Sequence, residues 1–265
     1  MTNPTLRLDG KKILITGVSR PAGIGATLAT RLSDAGATVA IHGYSDYDVL
    51  QKYVDAKHDA TSELAKQLTQ GNKTAVSLTA SDLSKSDAAE AVIAEAVQKI
   101  GNIDGLILNH AFSTTAPIGE WTSEHIDAHL LVNVRASMLM IQAFTKQMEI
   151  SKSGVITLFT SGQYLGPMIN EISYAVSKDA IIGLCKQVSA ALAPQNIRVN
   201  CINPGPNDTK YSFGGDYEFV RKLFPAGRWG TPDDTADLAL FLHSDYAKWI
   251  TGQVIASEGG FRRTV

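Results

Sequence analysis

Seven short stretches rich in β-branched and aliphatic residues recur along the chain: KKILITG (11–17), ATVAIHG (37–43), KTAVSLTA (73–80), DGLILNHA (104–111), GVITLFTSG (154–162), IRVNCINPG (197–205) and QVIASEGG (253–260). Each reads as a strand, and helix-length amphipathic segments separate most of them. The runs ILI, VAI and LIL are apolar at consecutive rather than alternate positions. That is the signature of strands covered by helices on both faces. The pattern predicts an α/β fold, a three-layer Rossmann-type doubly wound parallel sheet of about seven strands.

Helix punctuation agrees with this layout. Gly36 closes the first helix, Pro194 follows a long segment from about Glu171 to Ala193, and Thr231-Pro232-Asp233-Asp234 supplies a cap, a first-turn proline and two acids for another helix. No linker, repeat or low-complexity tract divides the chain, so residues 1–265 are expected to form one domain. Two places remain irregular, 44–60 and 206–216.

Composition narrows the partners. Hydrophobic residues make up 44% and charged residues 19%, with a formal charge of −2, so no basic field exists to attract nucleic acid or anionic lipid. A small, nearly neutral ligand is expected. The amino-terminal residues lack an apolar signal region and no run approaches the length of a membrane span, which predicts a cytoplasmic protein. Cys185 and Cys201 cannot make a disulfide framework and are expected to be reduced and buried. His125 and His129 stand four apart like half of a zinc site, but no third ligand is near in sequence, so they are read as a solvated helix face and no metal is expected.

Candidate chemistry begins at ILITGVSRPAGIGA, 13–26. A strand ending in Gly17 and a helix starting near Gly25 place free backbone N–H groups and the positive end of a helix dipole around one point, which suits a pyrophosphate. Glycine is needed there because a Cβ would block both the turn and the close approach of phosphate oxygens. Farther on, YAVSK places Tyr174 and Lys178 on one face of a predicted helix, and Ser161 ends the preceding strand.

Taken together, TGVSRPAGIG, SDL at 81–83, LNHA, VNV around Asn133, Ser161, YAVSK, NPGPNDT and TGQVIASEGG resemble the short-chain dehydrogenase/reductase family in its classical form, and the 3-oxoacyl-[acyl-carrier-protein] reductases within it. The resemblance covers essentially the whole chain. It implies a catalytic set of Asn133, Ser161, Tyr174 and Lys178 and no metal. It also implies a cofactor site of Gly17, Ser19, Arg20, Gly23, Ile24 and Gly25 in the loop, Tyr44, Asp82 and Leu83, Asn109, Tyr174 and Lys178, and Pro204-Gly205 with Thr209 beside the nicotinamide. In the family Tyr174 would exchange the proton, Lys178 would stabilise the tyrosinate and grip the ribose, Ser161 would hold the substrate oxygen, and Asn133 would hold a water linking Lys178 to solvent.

Two departures stand out. Five residues, rather than the family's three, separate Gly17 from Gly23, which is reminiscent of the enoyl reductase branch; that branch, however, spaces its Tyr and Lys by seven, not four. The family's NNAG appears as Asn109-His110-Ala111-Phe112, which alters the fine shape of the nicotinamide pocket and gives His110 a structural or cofactor-packing role.

Family members that use NAD usually carry an acid at the end of the second strand; that place is Gly43 here. With Arg20 displaced by the insertion toward the adenosine ribose and able to pair with a 2′-phosphate, NADP(H) is expected over NAD(H). The leading expectation is an NADPH-dependent reductase of a ketone or 3-oxoacyl thioester. Alternatives are a dehydrogenase oxidising a sugar, polyol or other secondary alcohol, and a non-catalytic NADP-binding sensor. The segment ISYAVSKDAIIGLCKQVSAALA is apolar on more of its circumference than one sheet face can cover, so a homotetramer or dimer is expected. The loop 206–216 and YEFVRKLF after it are expected to close over substrate.

Overall fold

The computed structural model describes residues 6–71, 73–148, 153–210 and 217–262. In chain order the elements are β1 (Lys12–Thr16), α1 (Ile24–Asp34), β2 (Thr38–His42), α2 (Ser45–Leu50), α3 (Ala60–Gln70), β3 (Ala75–Ser77), α4 (Ala88–Ile100) and β4 (Gly105–Leu108). They continue with α5 (Ser123–His129), a π-helical turn (Leu130–Arg135), α6 (Ala136–Gln147), β5 (Gly154–Phe159), α7 (Ile172–Leu192), β6 (Ile197–Asn203), α8 (Tyr217–Lys222), α9 (Pro232–His243) and β7 (Val254–Ala256). All seven predicted strands form, each shorter than its apolar run because the flanking glycines and polar residues turn the chain away.

The strands make one parallel sheet in the order β3-β2-β1-β4-β5-β6-β7. Register aligns Thr16 with His42 on one side and Leu108 on the other, and Phe159 with Ile202, so the carboxyl ends of β1, β2, β4, β5 and β6 reach a common edge. Chain direction across the sheet reverses between β1 and β4, which opens the crevice where ligands bind in such sheets. One core packs Val92, Met140, Phe144, Ile181 and Cys185 of α4, α6 and α7 on one face; the other packs Leu28, Leu32, Ala65, Ala236 and Ala239 of α1, α3 and α9 on the opposite face.

The expected punctuation is present. Gly36 adopts a φ of 100° after α1, and Thr231 and Asp234 form a reciprocal capping box at the start of α9. Cys185 and Cys201 are free and fully buried, and burial pushes their thiols up to about 11 and about 12. The irregular stretch 44–60 contains the short helix α2, and YEFVRKLF begins with α8. Most of the expected closing loop, 211–216, lies outside the described residues. No helix among the described residues is long and apolar enough to cross a membrane.

Candidate active site at the carboxyl ends of the strands

The glycine loop is built as a tight three-way junction. Asn109, just past β4, donates from Nδ2 to the carbonyls of Thr16 and Gly17 at 3.2 and 3.0 Å. A Cβ on Gly17, whose φ is 72°, would lie 2.8 Å from the His110 backbone, and a Cβ on Gly25 would lie 2.9 Å from the Gly17 carbonyl carbon. Helix α1 then starts with neither a side-chain cap nor an acid in its first turn. Its leading N–H groups therefore face the crevice without a protein acceptor, the condition for binding a phosphate anion. These features fit a dinucleotide.

The two extra loop residues take a different course from the one expected. The Arg20 guanidinium pairs with Asp55 at 2.8 Å, donates to the Thr209 carbonyl at 2.6 Å, and lies 4.4 Å over the Tyr53 ring. Asp55 also accepts from the Ala22 N–H at 2.9 Å. Arg20 thus ties the loop to the insertion after β2 and to the segment after β6, instead of turning toward an adenosine ribose beside β2. The insertion supplies the carboxylate that captures it, a contact separated by 35 positions in sequence.

The same insertion roofs the crevice. Tyr47 accepts from the Ser113 N–H at 3.1 Å and donates to the Ser113 carbonyl at 2.9 Å, and its ring packs 5.3 Å from Phe112. Asp48 is buried and bonded by the Ser19 hydroxyl, yet its Oδ2 has no hydrogen-bond partner among the described residues. Burial raises its carboxyl, against the opposing pull of Ser19 and Arg20. At Gly43 a Cβ would fall 2.7 Å from the Val18 carbonyl oxygen, so an acid cannot stand there without moving the backbone.

His110 is structural in its bonding. Its Nε2 meets the Val132 carbonyl at 3.2 Å, which can only accept, so Nδ1 is the acceptor for the Thr16 hydroxyl at 2.7 Å. Burial pushes it down to about 3, keeping it neutral. His42 likewise is pushed down to about 4 by burial, with its Nε2 3.0 Å from the Ser81 hydroxyl. His125 and His129 correct the expectation of a solvated face. His129 is fully buried, its Nδ1 bonds the His125 carbonyl at 2.8 Å, its Nε2 accepts from the Thr114 N–H at 3.3 Å, and its ring meets Phe112 edge-on. No cluster of three or more metal-binding side chains occurs among the described residues.

Asn133 sits in the π-helical turn, a local widening common at functional sites. Its Oδ1 accepts from the Phe112 N–H at 2.7 Å, while Nδ2 donates to the Phe112 carbonyl at 2.9 Å and to Ser177 Oγ at 2.8 Å. The side chain thus fixes the loop after β4.

At the end of β5 the chain is stitched to α7. Lys178, buried, donates from Nζ to the Phe159 carbonyl at 2.9 Å, and the Thr160 hydroxyl donates to the Lys178 carbonyl at 2.9 Å. Ser161 directly follows the residue that makes the second of these bonds. The Lys178 ammonium is 5.6 Å from the centre of the Tyr174 ring. Burial pulls Lys178 down to about 8, so at neutral pH the ammonium form still prevails.

The crevice encloses about 410 Å³. Gly17, Ser19, Arg20, Gly23, Ile24, Gly25, Tyr44, Asp82, Leu83, Asn109 and Thr209 line it. Ser161, Tyr174, Lys178, Asn133, Pro204 and Gly205 are outside its lining; Asn133 is joined to it through Phe112, and Pro204-Gly205 through the short path to Thr209. Lining residues outside the site set implied by the sequence include His42, Tyr47, Asp48, Tyr53 and Phe112. Only Phe112 carried a signal, as the bulky residue in a turn that is normally small.

Residues 17–262 match the family model described as Enoyl-(Acyl carrier protein) reductase. The uncharacterized oxidoreductase YjdA of Bacillus subtilis is 35% identical, with 96% of this chain and 97% of the relative covered. The 3-oxoacyl-[acyl-carrier-protein] reductase FabG of Chlamydia muridarum is 30% identical over 96% of this chain and 98% of its own. Among solved structures, a blue fluorescent protein from a metagenomic library in complex with NADPH superposes with a TM-score of 0.85 at 26% identity, covering 96% of this chain and 99% of that one.

Proposed function

Because this chain belongs to the short-chain dehydrogenase/reductase family, whose members are oxidoreductases that use nicotinamide cofactors, we propose that it works as one domain reducing a ketone or 3-oxoacyl thioester to a secondary alcohol. A bound nicotinamide supplies the hydride. Tyr174 gives its phenolic proton to the substrate oxygen, Ser161 hydrogen-bonds that oxygen, and the Lys178 charge lowers the cost of the tyrosinate left behind. Asn133 acts by holding the Phe112 peptide in place. The observation that carries this reading is the stitching of β5 to α7, in which a buried ammonium bonded to the Phe159 carbonyl, two residues before Ser161, lies 5.6 Å from the centre of the Tyr174 ring. The four-residue spacing of Tyr174 and Lys178 favours carbonyl chemistry over the enoyl reduction named by the matching family model. Absorbance at the reduced-nicotinamide band, followed with a panel of ketones, 3-oxoacyl thioesters, quinones and sugars, tests it. Cofactor binding without oxidation by any carbonyl would instead describe a sensor.

For the cofactor the reading is NADP(H). It is supported by Gly43, where backbone crowding excludes the acid that would repel a 2′-phosphate, and by the likeness to the metagenomic fluorescent protein solved in complex with NADPH. Asp48 is the opposing charge, since its unpartnered oxygen lies on the crevice wall. Wild-type protein is expected to bind NADPH more tightly than NADH, and Asp48→Asn to widen that margin by roughly five- to tenfold, the effect of one partly screened charge. Tighter binding of NADH by the wild type would assign Asp48 to the ribose hydroxyls and remove NADP(H).

The apolar outer side of α7 supports self-association, with Val176 exposed on it, Met138 exposed on α6 and Leu130 exposed at the π-helical turn. Light scattering is expected to give two or four times the 28.4 kDa chain mass. A monomer mass at micromolar concentration would contradict it.

A further inference from the structure

Beside the cofactor crevice lies a second cavity of about 360 Å³ that shares Tyr53 and Ser113 with it. Its other walls include Lys52 from the insertion, Thr114 from the loop after β4, Glu171 and Lys210. Glu171 immediately precedes α7, the helix that carries the proposed proton donor Tyr174.

The two lysines are unusual in their backbone. Among the described residues only Lys52, Asn196 and Lys210 combine a side chain with a positive φ, and both lysines stand at 57°. At Lys52 the left-handed backbone closes α2, with the Tyr53 N–H bonded to the Asp48 carbonyl at 3.2 Å. Neither ammonium has an ion-pair partner among the described residues. The one carboxyl in the wall, Glu171, is half-buried and bonded to Ser113, while the buried Thr114 hydroxyl oxygen has no partner among the described residues. The cavity is therefore lined by two exposed lysines that have no ion-pair partner among the described residues, against one engaged acid.

We propose that this cavity binds an anionic group of the substrate, a carboxylate or a phosphate monoester, between Lys52 and Lys210. The substrate is then an oxo compound carrying that anion at a distance from its carbonyl. This rests on the reading of Tyr174 as proton donor. Nothing covalent happens at the cavity; it positions and selects.

The test uses oxo acids of graded length, their methyl esters, and oxo phosphates with the matching alcohols, in the full-length protein with saturating NADPH. The best acid or phosphate is expected to exceed its uncharged counterpart at least about tenfold in kcat/KM, and the two series separate the two anions. Replacing both lysines by glycine, which accepts a positive φ without strain, should hold or raise Tm. It should abolish that margin through KM and leave kcat and the uncharged substrates unchanged. Equal kcat/KM for charged and uncharged substrates in active wild type would overturn the proposal. If no carbonyl is turned over, calorimetric titration of inorganic phosphate and succinate decides. Binding that disappears in the Lys52→Gly/Lys210→Gly variant keeps the anion site while the reductase reading falls, and absence of binding to the wild type overturns the site as well.

Discussion

Tyr174→Phe is expected to lower kcat by about two to four decades while NADPH affinity stays within roughly threefold of wild type, the range for loss of a general acid with binding preserved. The substitution removes one oxygen from a half-buried ring and leaves the apolar packing in place. Lys178 keeps its bond to the Phe159 carbonyl, so the frame that joins β5 to α7 survives. What disappears is the proton that must arrive at the substrate oxygen as its carbon is reduced. An ordinary phenol titrates near 10, too high to cycle easily at neutral pH. The Lys178 ammonium offsets that difference; burial lowers it to about 8, so its charge still prevails at pH 7 and fades as the pH rises above that value. Stopped-flow turnover with cofactor fluorescence as the binding readout separates the two effects. Wild-type turnover in the phenylalanine variant would remove Tyr174 from the chemistry.

Gly25→Ala carries the second large effect, on folding and on the cofactor together. Its new methyl would lie 2.9 Å from the Gly17 carbonyl carbon and 3.0 Å from Asn109 Nδ2. All three belong to the junction where β1, β4 and α1 meet, and Asn109 is already committed to the carbonyls of Thr16 and Gly17. Neither backbone can yield without disturbing the sheet, so a loss of roughly 2–4 kcal/mol of stability is expected, with affinity for either cofactor lowered more than tenfold. Gly10→Ala is the matched control. Its φ is 74° but nothing lies within 4 Å of the added carbon, so only the conformational term of about 1–2 kcal/mol applies and cofactor binding should not change. Denaturant unfolding and cofactor titration on both variants check the contrast. Equal behaviour of the two would show that the junction is not a crowded cradle.

The sequence by itself determined the sheet and most of its helices, because each of these is written locally, while resemblance to a family marked the candidate catalytic residues. Consecutive apolar residues in ILI, VAI and LIL mark doubly covered strands, and the observed β1, β2 and β4 coincide with them. Thr231-Pro232-Asp233-Asp234 is a complete helix start within four residues, and the capping box forms as written. Tyr174 and Lys178 share a face because four residues make about one helical turn. Contacts between distant segments were decided only by the tertiary structure. Arg20 looked free for a 2′-phosphate until the insertion brought Asp55 to it across 35 positions. His129 looked solvated until Phe112 and the Thr114 N–H closed over it. The π-helical turn has no periodic signature that apolar spacing could expose, yet it carries Asn133 to the Phe112 peptide. Asp48, Tyr47 and Lys52 reach their cavities only because residues 44–60 fold back over the crevice. Local periodicity and capping fix which element a residue joins; which charge it meets depends on loop closure in three dimensions, where one opposing carboxylate redirects an arginine that sequence spacing alone leaves unassigned.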